Sequence, residues 1–475
     1  MRTFEQYFEG LRKMRPNVYL GGKLVPRDDP AFLPGIKVIG ATFELVNDPR
    51  HQDLTIAVSH LTGRKINRFT HIHQSQEDLL KKQKMTRMYC QRVGRCVQRC
   101  MGVDAMNALS VVTKRMDDDL GTNYYSQFVK FLEYYQENDL VGNAAQTDVK
   151  GDRSLRPYQQ DDPDMYLRVV EKRDDGIIVR GAKAHNTIAP YADEIIAIPT
   201  RAMTPQDADY AVAFSLPADT EGMHLVSVAH NQRARKHLKA PIGETGAAHS
   251  ITIFDNVFVP WERVFMCGET KYAGQLAGLF AGYHRHSYTG CKPALTDILM
   301  GAAALVSEYN GLEKASHVRD KLSEMVTVAE LVYAAGIAAA VNSSRASSGT
   351  YVPDVVYVNV GRYHAGVNVY PEFEILADLA GGLAATLPHE DDFVEPTVGP
   401  LLNKYIKRKK DISSEKIHRC YRLIENLIAS APGAASQISG IHGGGSPIME
   451  KIAIMAQYDI NEKKEIAKYL AGITD

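Results

Sequence analysis

The sequence has almost no charge bias. Lys and Arg number 55 and Asp and Glu 56, for a formal net charge of −1. A nucleic-acid binder carries a basic excess or stripe, so no nucleic-acid partner is expected. Disorder needs low hydrophobicity and high net charge together, and 45% of these residues are hydrophobic. Long apolar runs are missing too. Leu299–Val306 and Val332–Val341 fall far short of the ~20 residues that span a bilayer, so no membrane partner is expected. The opening residues, MRTFEQYFEGLRKMRPN, hold no apolar core followed by a small-residue cleavage site. The expected compartment is therefore the cytoplasm. Cysteine is scarce, with Cys90, Cys96, Cys100, Cys267, Cys291 and Cys420 in 475 residues. In that compartment these are thiols, metal ligands or redox groups, and a disulfide framework is excluded. No Walker A motif is present, and no G-x-G-x-x-G follows a strand.

What is there reads as helical, then β, then helical. A length of 475 residues suggests about three domains. Residues 1–141 carry apolar residues at helical spacing. Ser75 and Asp78 resemble a capping box opening a long proline-free helix from Gln76 to about Leu120. Residues 142–275 turn strand-like, with a hairpin signal at Asp174-Asp175-Gly176. Residues 276–475 are rich in Ala and Leu on more than one stripe, which predicts a buried helical bundle.

Four constellations could carry chemistry. Cys96 and Cys100, four apart, share a face if the segment is helical. "FAGYHRHSYTGCK" holds His284, His286, Tyr288, Cys291 and Lys292, and Gly290 could bend it. Three thiols and an imidazole suit zinc or an iron–sulfur cluster, and spacing does not separate these from buried thiols and ordinary histidines. "TDVKGDRSLRP" (Thr147–Pro157) mixes Gly151 with Asp148, Lys150, Asp152, Arg153 and Arg156. With "GAKAHNT" (Gly181–Thr187) it could hold a phosphate or a polar ring edge, or be a solvated linker. Paired Gly381-Gly382 suggests close approach of a backbone or ligand, or tight helix packing.

Taken together, these segments with "GRKINRFTHIHQS", "FDNVFVP", "KASHVRDKLSEM" and "HGGGSP" resemble one family over essentially the whole chain. It joins 4-hydroxybutyryl-CoA dehydratases to flavin-dependent 4-hydroxyphenylacetate 3-monooxygenases. The resemblance implies an α+β, acyl-CoA dehydrogenase-like fold, with a helical N-terminal domain, a barrel-like middle β domain and a C-terminal helical bundle. It implies FAD held by Asp148, Lys150, Gly151, Asp152, Arg153, His185, Thr187, Gly381 and Gly382. In the dehydratase branch it implies a [4Fe–4S] cluster on Cys96, Cys100, His284 and Cys291. The monooxygenase branch uses no cluster. It further implies a homotetramer acting on an acyl-CoA substrate. The expected activity is radical-type dehydration of a 4-hydroxyacyl-CoA, with vinylacetyl-CoA isomerisation as a companion. Related chemistry on another acyl-CoA, or aromatic monooxygenation, is the alternative.

His284, Tyr288, His249 and Lys292 are the catalytic candidates. Two departures stand out. Where the dehydratases use glutamates, this chain has His249 and Ser439. An imidazole at 249 could act as acid or base and would make the rate depend on pH near 6.5.

Overall fold

The computed structural model describes residues 1–233 and 235–473. It runs helical, β, helical, as the sequence texture predicts. A six-stranded sheet has the order Lys23–Val25, Val18–Leu20, Met223–Asn231, Gly246–Pro260, Gly176–Thr187, Arg168–Lys172. The predicted hairpin lies at one edge, with Lys172 opposite Ile177 across the turn. A four-stranded sheet has the order Val264–Cys267, Val212–Pro217, Glu194–Ala197, Gly142–Ala145. Both sheets are open, which corrects the barrel-like expectation. Their facing side chains, among them Val179, Ile195, Phe214, Phe254 and Val257, form one core that keeps the sheets apart as layers. The N-terminal strand Val18–Leu20 pairs in parallel with Leu225–Ser227. A three-residue strand is too short to show a period, so no residue pattern signals this crossing.

A second correction falls at the first cysteine pair. The proline-free stretch is two helices, Gln76–Val93 and Cys100–Leu120. Ser75 caps the first, its hydroxyl accepting from the Asp78 amide at 3.1 Å. Gly94 ends it in the left-handed region (φ 74°) and Gln98 (φ 62°) repeats that conformation four residues later. Cys96 thus sits in a bend before the second helix, and Cys100 is that helix's first residue. They do not share a helical face.

The opposite holds in the long helix Thr270–Tyr309, which runs unbroken through Gly290 and Pro293. Gly290 is needed for contact rather than bending. A Cβ there would lie 2.4 Å from the Gln83 carbonyl oxygen, so glycine lets two helices meet backbone to backbone. Pro293 cannot donate to the Thr289 carbonyl, and Gln83 Nε2 donates to it instead at 3.2 Å. The same amide reaches the Tyr333 carbonyl at 2.8 Å and ties in a third helix, Ser316–Val341. By length and composition that third helix could cross a membrane, contrary to expectation. It packs its Val318, Met325 and Val332 into the bundle, while Val326, Leu331 and Val341 stay exposed.

Candidate functional site

The bend at Gly94–Arg99 and the middle of the long helix meet in one buried cluster with Phe69, Met85 and Tyr89. Cys96, partly buried, packs against it beside the thiols of Cys100, Cys291 and Cys90. Those neighbours hold the Cys96 thiol well below its ordinary range. Contact with Cys96 and burial push Cys100 and Cys291 the other way. The orphan amides at the start of Cys100–Leu120 favour negative charge at this end.

His284 completes the set. Its Nδ1 lies 3.0 Å from Asp104 Oδ2, which leaves Nε2 free, and its ring stacks on Phe280 at 5.6 Å. Ligating atoms of Cys100, Asp104 and His284 all lie within 4.8 Å of one another. The Asp104 oxygens are already engaged by Lys82, Ser287 and His284. Asp104 therefore orients the imidazole, as a carboxylate behind a metal-binding histidine does. Asp104→Asn is expected to weaken metal retention 10–100-fold, on the order known for such partners. Iron left per chain after a chelator challenge measures this, and equal retention in both proteins would refute the role.

Tyr288 lies on the same helix face. Its hydroxyl donates to the carbonyls of Ser439 (3.2 Å) and Gly440 (3.0 Å), and Arg362 stacks 4.3 Å from its ring centre. Burial keeps the phenol well above its usual range. Lys292, one residue after Cys291, is buried in an ion pair with Glu372 and lines a narrow cavity with Gly94, Arg95, Phe373 and Gly440. Ser439 itself is exposed.

His249 lies opposite Thr187 across the sheet, Nδ1 to Oγ1 2.9 Å. Burial, with His230 and His185 nearby, lowers it from 6.5 to about 4. A neutral ring therefore persists through neutral pH, and a rate dependence near pH 6.5 is not expected from this residue. The sign for stability follows. Between about 6.5 and about 4 the native state binds fewer protons than the unfolded chain. Burying His249 contributes stability above that window, and the contribution is lost as pH falls through it. His249→Gln should flatten the acid limb of thermal stability there, and an unchanged limb would contradict this.

The polar loop is only partly free. Asp148 is buried in an ion pair with Lys183 at 2.6 Å. Lys150, Asp152, Arg153 and His185 are exposed. Gly151 has φ 54°, and a Cβ there would lie 2.5 Å from Gln160 Oε1. His185 (φ 57°) and Ile188 (φ 64°) are also left-handed, a local strain typical of functional turns. Gly381-Gly382 is not brought to this loop by any hydrogen bond among the described residues. Its bonds run to Ala377, Ala384, Ala385 and Thr386 within its own helical turn.

Sequence reasoning missed Asp104, Cys90 and Arg362. Asp104 had a signal, an acid on a helix of apolar neighbours. Cys90 and Arg362 match no motif and become visible only through packing.

Family models for the 4-hydroxyphenylacetate 3-hydroxylase N-terminal and C-terminal regions match residues 3–266 and 273–472. The chain is 42% identical over the full length of both proteins to a 4-hydroxybutyryl-CoA dehydratase/vinylacetyl-CoA Δ-isomerase of Clostridium aminobutyricum. It is 39% identical, with a TM-score of 0.95, to the structure of an oxygen-tolerant archaeal 4-hydroxybutyryl-CoA dehydratase from N. maritimus, covering 100% of this chain and 95% of that one. A 4-hydroxyphenylacetate 3-monooxygenase oxygenase component complexed with FAD matches with a TM-score of 0.88 at 25% identity, covering 99% and 98%. The fold is the acyl-CoA dehydrogenase-like one. The chain belongs to the 4-hydroxyphenylacetate 3-hydroxylase family, which here includes the 4-hydroxybutyryl-CoA dehydratases.

Proposed function

We propose that this protein is a 4-hydroxybutyryl-CoA dehydratase with vinylacetyl-CoA isomerase activity, using FAD and a [4Fe–4S] cluster. The observation that carries the reading is the convergence of Cys96, Cys100 and Cys291 with a pre-oriented His284, in a chain 42% identical to such an enzyme. The donor set fits the cluster: three soft sulfurs and one imidazole whose second nitrogen is taken. The polar loop fits a flavin, with exposed Lys150, Arg153 and His185 around the Gly151 turn. When bound, these cofactors supply one-electron chemistry and a Lewis-acidic iron.

The chain's own residues do the rest. Asp104 engages Nδ1 of His284 and leaves Nε2 available as a ligand. Tyr288 keeps its proton and is a hydrogen-bond donor beside the glycine-rich turn. Lys292 holds positive charge close to Cys291. The neutral His249 orients through Thr187 rather than exchanging protons at neutral pH. Phe69 and Met85 pack in the same buried cluster and exclude water from the thiols.

A homotetramer in the cytoplasm belongs to the same proposal. Its support is the uncovered apolar surface of the last two helices. Ile448, Ile452 and Met455 are exposed on Pro447–Gln457, and Ile460–Ala471 buries no residue at all. Gly381-Gly382 would meet a flavin only if a second copy brought it there. Free thiols in such number suit a reducing compartment.

The test is anaerobic turnover of 4-hydroxybutyryl-CoA, with the visible spectrum recorded beforehand. A flavin band with a broad brown shoulder and crotonyl-CoA as product are expected. A bare flavin spectrum with hydroxylation of a phenol would favour the monooxygenase branch instead.

A further inference from the structure

Two of the cysteines proposed as cluster ligands are flanked in the chain by a buried cation. Lys292 follows Cys291, and Arg95 precedes Cys96. Lys292 has its counter-charge in Glu372. Arg95 has no carboxylate partner. Among the described residues its one hydrogen bond runs from Nε to the Thr245 hydroxyl at 3.2 Å, and that hydroxyl in turn donates to the Ile242 carbonyl. The other buried arginines are served by carboxylates or carbonyls. Arg68, Arg99 and Arg422 face Asp78, Asp139 and Glu425. Arg285 has Glu450 and the Gly444 carbonyl, and Arg27 and Arg362 donate to backbone carbonyls. A guanidinium does not escape the cost of burial by losing its proton, as a lysine can. Arg95 therefore costs the chain stability unless an anion is seated beside it.

Arg95 stands between the sheet and the cysteine bend. Beside it on the sheet side are Thr245, Tyr191, His230 and the neutral His249, and on its own bend Cys96. Lys292 lines the same narrow cavity. That lysine is committed to Glu372, whose other oxygen accepts from Thr296. Burial pushes the Tyr191 phenol up to about 12, so it brings no charge at neutral pH. No Asp or Glu is among the groups that bear on Arg95. Cys96 is the one neighbour that can carry negative charge there, and it does so as a ligand, since the thiolate is the form that binds metal.

We infer that Arg95 is the counter-charge of the anion held by Cys96, Cys100 and Cys291, and that it both retains the iron–sulfur group and sets its potential. Three thiolates carry more negative charge than the resting core carries positive, so the ligated group is an anion. Such a group in an apolar pocket needs a cation near it, for the same reason that Arg95 needs an anion. The two costs cancel when both are present. Net charge and burial around a cluster also fix its potential, and a fixed positive charge favours the reduced state. Arg95 is a positioning residue, since it gives no atom to iron and acts through Cys96 and the field around it.

This inference rests on the dehydratase reading and its cluster. The experiment compares Arg95→Met and Arg95→Lys with wild type, each as the full flavin-loaded chain, before and after a chelator has removed the iron. Flavin absorbance reports that each variant is folded. Without iron, Arg95→Met should unfold at a higher temperature than wild type, because an unpaired charge is gone. With iron the order should reverse. Iron loss to the chelator should then be ~10-fold faster in Arg95→Met, with Arg95→Lys in between. The midpoint potential of the cluster should fall in Arg95→Met and stay near wild type in Arg95→Lys, a shift that packing alone does not produce. The guanidinium also borders the cavity, so the oxygen of a bound thioester is the rival partner. Butyryl-CoA, which has no hydroxyl to lose, separates the two. If Arg95→Met weakens its binding with and without iron alike, while iron loss and potential match wild type, the counter-charge role is overturned. A variant more stable than wild type in both states would overturn it too. A wild type that takes up no iron and sulfide under anaerobic reconstitution would overturn the cluster, and this inference with it.

Discussion

Cys291→Ala is expected to lose nearly all of the iron, from about four per chain to a residue near zero, while the flavin stays bound. The thiol is 3% exposed and its backbone lies inside a continuous helix, so the substitution removes a donor without removing the scaffold. Cys96→Ala should have the same effect. Metal analysis beside flavin absorbance measures both. Full iron in the Cys96, Cys100 and Cys291 variants would refute the ligand assignment.

Glu372→Ala should cost about 3–5 kcal/mol of stability. Lys292 is 3% exposed and Glu372 1%, so removing the carboxylate leaves an ammonium in the bundle with no counter-charge. Thr296 loses its acceptor in the same step. A double variant, Lys292→Met with Glu372→Leu, should recover most of the loss, because the penalty comes from the unpaired charge and not from lost volume. Denaturant unfolding of the three proteins checks the pattern. A single variant as stable as wild type would show that Lys292 is not held as an ion pair.

Both variants lie in a region the sequence made partly legible. The segments holding Cys96, Cys100, His284 and Cys291 stand out as motifs, and the order helical, β, helical follows from texture. The geometry between them does not. A helical reading of Cys96 and Cys100 put them on one face, because no proline interrupts the stretch. The break comes from Gly94 and Gln98 in the left-handed region, a choice that tertiary contact makes and local propensity does not. Gly290 could bend a helix by its residue type alone, and here it is a contact. The difference depends on Gln83, some two hundred residues earlier. Asp148 is a flavin contact by the family resemblance, yet Lys183 claims it from a strand of the sheet.

The Gln83 side chain has a consequence for how the protein is made. It joins the helix before the first cysteine bend to the helix carrying His284 and Cys291, and also to the next helix, through protein atoms alone. The segments that carry the sulfurs are thus tied to one another by amide hydrogen bonds and packed side chains. Assembly of the inorganic group can follow folding. A chain stripped of iron should keep an open berth of the right shape, ready to be filled again from iron and sulfide, rather than unravel as small metal-nucleated domains do.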